Sequence, residues 1–118
     1  MKIVNLDPQR TEPIAQFNSI AASKLLLAEG RGQSYLYHLH FDGQSRIDRH
    51  VANFHQIFLV ISGSGWVSGD DGKRVSIKAG QFAVFTKGET HSKGSETGMD
   101  VIMFQCCEDN GIDGTRTQ

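Results

Sequence analysis

The sequence predicts an all-β domain, a sandwich or barrel of short strands. The chain holds 13 glycines and only 2 prolines, and the glycines recur at near-regular intervals. Between them lie short runs rich in β-branched and aromatic residues, a spacing typical of such folds. These runs are "KLLLA" (24–28), "SYLYHLHF" (34–41), "QIFLVI" (56–61), "GWVSG" (65–69), "RVSI" (74–77), "QFAVF" (81–85) and "MDVIMFQCC" (99–107).

The segments around these runs predict how the single domain is organised. "GDDGKRV" (69–75) is a hairpin candidate, because Asp71-Gly72 supplies the positive φ that a tight turn needs. The run "IAASKLL" (20–26) is either one short helix or the lead into a strand. We expect an N-terminal arm over 1–19, a barrel core over about 20–107 and a polar C-terminal tail over 108–118.

Composition limits the function classes. A chain of 118 residues with 38% hydrophobic and 21% charged residues fits one globular domain. The formal net charge is -1 without a basic block, which argues against a nucleic-acid partner. No apolar run could cross a bilayer, and "MKIVNLDPQR" lacks the apolar core of a signal peptide, so we expect a soluble, cytoplasmic protein. Adjacent Cys106 and Cys107 are expected as reduced thiols at a strand end.

One run departs from the alternation of a half-buried strand. "IFLVI" (57–61) is apolar on both faces, so one face can fill the barrel while the other needs cover. A second copy of the chain or the N-terminal arm could supply that cover. We favour the homodimer.

Three polar side chains are candidates for a site inside the barrel. Residues two apart in a strand share a face, so Gln56 points with Phe58 while His55 points with Ile57. His55 and Gln56 therefore cannot both face inward. His91 follows a strand in "KGETHSKGSE", and a site forms if His50, one of His55 or Gln56, and His91 converge.

At these residues the sequence resembles the cupins, small double-stranded β-helix or jelly-roll barrels. In "GQSRIDRHVANFHQIFLVISG" (43–63), His50 takes the place of the first motif histidine, one position late. Ala52 stands for the second histidine and Gln56 for the glutamate. In "GQFAVFTKGETHSKGS" (80–95), the second motif keeps its glycines and His91. The resemblance covers about 34–105.

The resemblance implies a metal site and a small-molecule pocket. Carried over, His50, Gln56 and His91 form a neutral three-ligand set that suits Zn, Ni, Cu or Fe(II) better than Mg or Ca. His55 is the substitute ligand. A metal-free module that senses or carries a small molecule through the same residues is the alternative. The expected pocket is neutral, and Phe58, Trp66 and Phe104 are expected to form its walls. Such a pocket does not indicate a strongly anionic ligand.

Other chemistry is weakly indicated. The sequence contains no nucleophile elbow and no phosphate-binding glycine motif, so catalytic residues stay unassigned and enzyme activity stays open. His38 and His40 share a strand face opposite the more apolar set Tyr35, Tyr37, Leu39 and Phe41. We therefore expect the two histidines to face solvent or an interface.

Overall fold

A computed structural model describes residues 1–109 of the chain, and it confirms the all-β prediction. Apart from one 3₁₀ turn at Pro8–Arg10, the regular elements are antiparallel strands. The strands are β1 (Lys2–Asn5), β2 (Glu12–Pro13), β3 (Ser23–Lys24), β4 (Gly30–Phe41), β5 (Ser45–Val51), β6 (His55–Ser68), β7 (Val75–Lys78), β8 (Gln81–Phe85), β9 (Thr90–Ser95) and β10 (Met99–Asp109).

Strand β6 joins the two halves of the barrel. Its first part pairs with β8 and β10 in a sheet of order β1-β8-β6-β10-β4, and its second part pairs with β7 and β9. The bend falls at Gly63, whose φ of +76° is easy only for glycine. A Cβ at Gly63 would lie 2.3 Å from the carbonyl oxygen of Gly98. The strand can therefore change sheets here because the residue has no side chain.

The apolar residues form two clusters, one on each face of the larger sheet. The alternation predicted for β6 is confirmed, since Phe58 and Val60 belong to one cluster and Ile57 to the other. The interior cluster fills the barrel. Its members are Phe41, Phe58, Val60, Val67, Ile77, Ala83, Phe85, Met99, Val101 and Met103.

The N-terminal segment covers part of the outer face of "IFLVI". Strand β1 pairs with β8, and its Val4 is buried in one cluster with Ile57 and Val84. Leu27 and Ala28 pack on the same cluster. The strand predicted over 24–28 is wrong beyond Lys24, because this stretch lies across the outer face and pairs with β2 only at Ser23 and Lys24. Of the predicted tail, residues 108–109 belong to β10 and 110–118 lie outside the described residues.

Two local predictions are confirmed. The β6–β7 connection is a hairpin in which Gly72 adopts a φ of +71°. Cys106 and Cys107 lie near the end of β10, and within residues 1–109 neither forms a disulfide. Within residues 1–109 there is also no helix with the length and apolar character needed to span a membrane.

Candidate functional site

Strand β9 points two ionisable side chains into the barrel. Alternate residues of a strand share a face, so His91 and Lys93 both face inward. Their exposed fractions are 0% for His91 and 2% for Lys93. The neighbouring strand β5 places His50 opposite His91 and Ile47 opposite Lys93, with a bulge between the two pairs. The site is thus built where β5 and β9 run side by side.

Lys93 is a buried amine that has no acidic partner in the described part of the chain. Its Nζ donates to Gln56 Oε1 at 2.8 Å and lies 3.9 Å from Met103 Sδ. The rings of Phe58 and Phe85 flank it, with centroids 4.8 and 4.9 Å from Nζ. Within residues 1–109, no carboxylate forms an ion pair with Lys93. Burial disfavours the charged form and lowers the pKa of Lys93 to about 7.

His50 and His91 form a second pair, and their contacts define the tautomers. His50 Nδ1 lies 2.7 Å from the carbonyl oxygen of Asp48, which can only accept, so Nδ1 carries a proton. The Nε2 atoms of the two rings are 3.1 Å apart, so in neutral His50 the bare Nε2 accepts from His91 Nε2–H. His91 Nδ1 is then a buried acceptor, and no partner for it occurs among the described residues.

His91 is held in its neutral form. Its burial lowers its pKa to about 3, and the nearby charges of Lys93 and His50 act in the same direction. The ring also packs edge-on against Phe85, with centroids 4.6 Å apart. Neutral His91 can therefore donate or accept a hydrogen bond, but it cannot supply positive charge near neutral pH.

These residues fit a divalent metal only in part. Two imidazole nitrogens 3.1 Å apart suit a common metal, since Zn–N bonds of about 2.0–2.1 Å at a tetrahedral angle hold two nitrogens about 3.3 Å apart. The third expected donor does not fit, because Gln56 Oε1 is bound to the Lys93 amine. Within residues 1–109, no group of at least three His, Cys, Asp or Glu side chains is arranged around a metal position. As arranged, the set does not fit a divalent cation.

The other expected site residues lie in different places. Phe58 lines the barrel interior beside Lys93. His55 is half-buried, and its Nδ1 accepts from the backbone amide of Lys87. Phe104 packs on the outer cluster with Leu27 and Ala28, on the opposite face of the sheet from the interior residues.

Trp66 also points away from the barrel interior. It lies opposite Gly94, and the Arg74 guanidinium sits 3.7 Å from the centroid of its ring. A Cβ on Gly94 would approach the Trp66 ring to 2.5 Å, so the glycine provides the space for the indole. Of the three aromatic residues expected as pocket walls, the structure brings only Phe58 to the histidines and Lys93.

One side of the barrel is open in the sense that no strand pairing closes it between β4 and β5 in the described residues. In the described part of the chain, β4 pairs only with β10 and β5 pairs only with β9, so no ladder joins β4 to β5. Tyr37 lies opposite Met103 and shares its inward face, yet 44% of Tyr37 is exposed. Tyr35, two residues earlier, is 38% exposed and contacts Phe54 edge-on. Inward-facing but solvent-accessible aromatic rings therefore lie along the β4 edge of the barrel.

His38 and His40 face outward, as expected from the alternation. Both rings contact Asp100 Oδ1, at 2.9 and 2.8 Å, and His40 also contacts Asp42 at 3.0 Å. The carboxylates of Asp100 and Asp42 raise the pKa of His40, and Asp100 has the larger effect. In turn, the hydrogen bond from His40 is the main cause that lowers the pKa of Asp100 to about 2. This network is exposed and separate from the barrel site.

Lys93 is the residue that sequence reasoning missed. The signal was present in "HSKGS", where Lys93 follows His91 by two residues and so shares its face in any extended segment. The expectation of a neutral pocket is changed by this residue, since its charged form places a cation in the barrel.

Comparisons with known proteins identify the fold and the family. A conserved protein of unknown function from Streptococcus pyogenes is similar over 64% of this chain and 66% of that chain, with 17% sequence identity and a TM-score of 0.59. An RmlC-like cupin from Shewanella frigidimarina is similar over 61% of this chain and 64% of that chain, with 21% identity and a TM-score of 0.57. An RmlC-like cupin family protein from Methanocaldococcus jannaschii is similar over 81% of this chain and 87% of that chain, with 9% identity and a TM-score of 0.58. At these identities the likeness concerns the fold alone. The chain spans less than two thirds of the length of the first two.

No curated protein sequence matches the chain significantly. The family described as an AraC-like ligand binding domain matches residues 31–109, well over half of the chain. The match runs from β4 to the end of β10 and contains the whole barrel site. The protein has the cupin fold and belongs to the AraC-like ligand binding domain family.

Proposed function

We propose that this protein is a binding module that takes a small organic molecule into its barrel without a divalent metal. Its polar contacts would be His50, His91 and Lys93. The observation that carries the proposal is the buried Lys93 amine, which is bound to Gln56 Oε1 at 2.8 Å. In its charged form this amine repels a divalent cation, and in either form it occupies the oxygen that a metal would need.

A metal-bound form is the second candidate. The 3.1 Å separation of the two Nε2 atoms favours it, with Zn, Ni, Cu or Fe held by His50, Gln56 and His91, or by His55 as substitute. Gln56 would have to leave Lys93 for this site to form. Catalytic residues stay unassigned under both candidates, and the expected cytoplasmic location stays a prediction.

Metal analysis separates the two candidates. We expect protein purified without chelator to hold far less than one transition metal per chain, and calorimetric titration with Zn, Ni, Cu or Fe(II) to show no stoichiometric site. The double variant Gln56→Glu/Lys93→Met replaces the amine–amide pair by a free carboxylate, so we expect it to gain a metal site.

The control for this gain is His91→Ala in the double-variant background, which should lose the metal again. A wild-type protein that carries about one metal per chain, and loses it on His91→Ala alone, would overturn the metal-free proposal and select the second candidate.

We also propose a homodimer formed through the outer face of the larger sheet. The N-terminal segment leaves an apolar groove there, and Leu36 beside it is 72% exposed. The groove is lined by Leu27, Ala28, Ile57, Leu59, Ile102 and Phe104.

Light scattering at micromolar concentration should give twice the 13.0 kDa chain mass for the wild type and the single mass for Leu36→Arg. Val75→Arg, which alters an exposed apolar residue on β7, should stay dimeric. A monomeric wild type would contradict this.

A further inference from the structure

We propose that the ligand of the barrel carries a carboxylate, and that this carboxylate binds the Lys93 ammonium. This inference rests on the proposed function, because it names the ligand class of the same metal-free site. It is argued from the contacts of Lys93, from the aromatic rings around it and from the open side between β4 and β5.

The first argument is the number of hydrogen-bond donors. An ammonium has three N–H donors. Gln56 Oε1 accepts one of them, and the contact with Met103 Sδ at 3.9 Å is weak. Lys93 is 2% exposed, so bulk water does not satisfy the remaining donor. A carboxylate oxygen would provide the strong acceptor that the barrel wall does not offer.

The second argument is charge. Buried cations in proteins are normally paired with an anion. The amide oxygen of Gln56 is neutral, and within residues 1–109 no carboxylate pairs with Lys93. The two nearby histidines, His91 and His50, are neutral or cationic imidazoles, so neither supplies a negative counterion. In the charged form of Lys93, the negative charge that would pair with it is therefore expected on the ligand.

The third argument is the shape and polarity of the surroundings. The rings of Phe58 and Phe85 lie within 4.9 Å of the Nζ atom, and Met103 adds a further apolar contact. Tyr35 and Tyr37 border the open side of the barrel. A ligand that enters there would meet aromatic surface first and the cation last. This order suits a small acid with an apolar body and favours it over a polyhydroxylated neutral molecule.

The test compares carboxylates with amides of nearly the same shape. Acetate, propionate and benzoate are titrated into the wild type beside acetamide, propionamide and benzamide, with binding followed by calorimetry. We expect at least one carboxylate to bind about tenfold or more tighter than its amide, as loss of a charged hydrogen bond predicts. Lys93→Met should abolish that preference, and Lys24→Met, which removes an exposed lysine on β3, should keep it.

A second measurement does not depend on how the variant folds. In wild-type protein with ¹³Cε-labelled lysine, the Lys93 signal is identified by its proximity to the rings of Phe58 and Phe85, and it should shift on addition of the carboxylate but not of the amide. Equal binding of acid and amide, a preference that survives Lys93→Met, or no binding by any of the three acids would overturn the inference.

Elemental analysis of the same preparation distinguishes failure of this inference from failure of the proposed function. Bound metal at about one per chain contradicts the proposed function, whereas metal-free protein without a carboxylate preference contradicts this inference alone.

Discussion

Gln56→Leu is expected to lower the free energy of unfolding by about 1–3 kcal/mol, the cost of leaving a buried amine without its hydrogen-bond acceptor. Gln56 Oε1 is the one oxygen acceptor of Lys93 Nζ in the described residues, at 2.8 Å, and both side chains are buried. Leucine leaves the amine among Phe58, Phe85 and Met103 with no oxygen to accept its hydrogen bond. Urea unfolding, read from the midpoint and slope together, measures the change.

The matched double variant should reverse this loss. When Lys93→Met accompanies Gln56→Leu, both polar partners become apolar and no buried group is left unpaired. Replacing both partners of a buried hydrogen bond by apolar groups of similar shape can be nearly neutral or stabilising. Gln105→Leu, on the neighbouring strand β10 and less buried, controls for the amide-to-leucine change itself. If the double variant is no more stable than Gln56→Leu, the Lys93–Gln56 bond is not the cause of the loss.

This reversal also has a functional meaning. A pair that can be replaced with a gain in stability is not kept for stability, and stabilising changes often remove function where an active or binding site is strained or polar. We therefore expect the double variant to be the more stable protein and the one that has lost carboxylate binding.

Gly63→Ala is expected to destabilise the barrel by at least about 3 kcal/mol, through two effects at one position. The left-handed backbone conformation costs a non-glycine residue roughly 1–2 kcal/mol. The added Cβ would also lie 2.3 Å from the Gly98 carbonyl oxygen, a backbone atom that cannot rotate away. Because β6 changes sheets at this residue, relieving the contact would separate β6 from β10.

Gly80→Ala separates the two effects. Gly80 has a φ of +89°, and a Cβ there meets no atom within 4 Å. It therefore measures the backbone cost alone, and chemical unfolding of both variants gives the contribution of the contact as the difference. Equal losses at Gly63 and Gly80 would mean that the contact with Gly98 relaxes freely.

Local signals in the chain were sufficient for much of this fold. The glycines near 43, 72, 80 and 88 predicted turns and Asp71-Gly72 predicted the β6–β7 hairpin, whereas the glycines at 30–32 and 63–65 lie within β4 and β6. Strand alternation correctly separated Gln56 and Phe58 from Ile57, and it turned His38 and His40 outward. The cupin resemblance led to His50 and His91, whose rings meet at 3.1 Å. These features depend on residues close in sequence or on a period of two, so they can be read before any pairing of distant strands is known.

The character of the site depended on pairings between distant strands. Lys93 becomes a buried amine only because β9 lies between β5 and β6, and because the first part of β6 brings Gln56 within 2.8 Å of its Nζ. Trp66 and Phe104 lie outside the barrel. The register between paired strands determines the face on which each side chain lies, and sequence alternation alone does not give that register. Alternation tells which residues share a face. Only the tertiary pairing decides which face is the inside and which charges meet there.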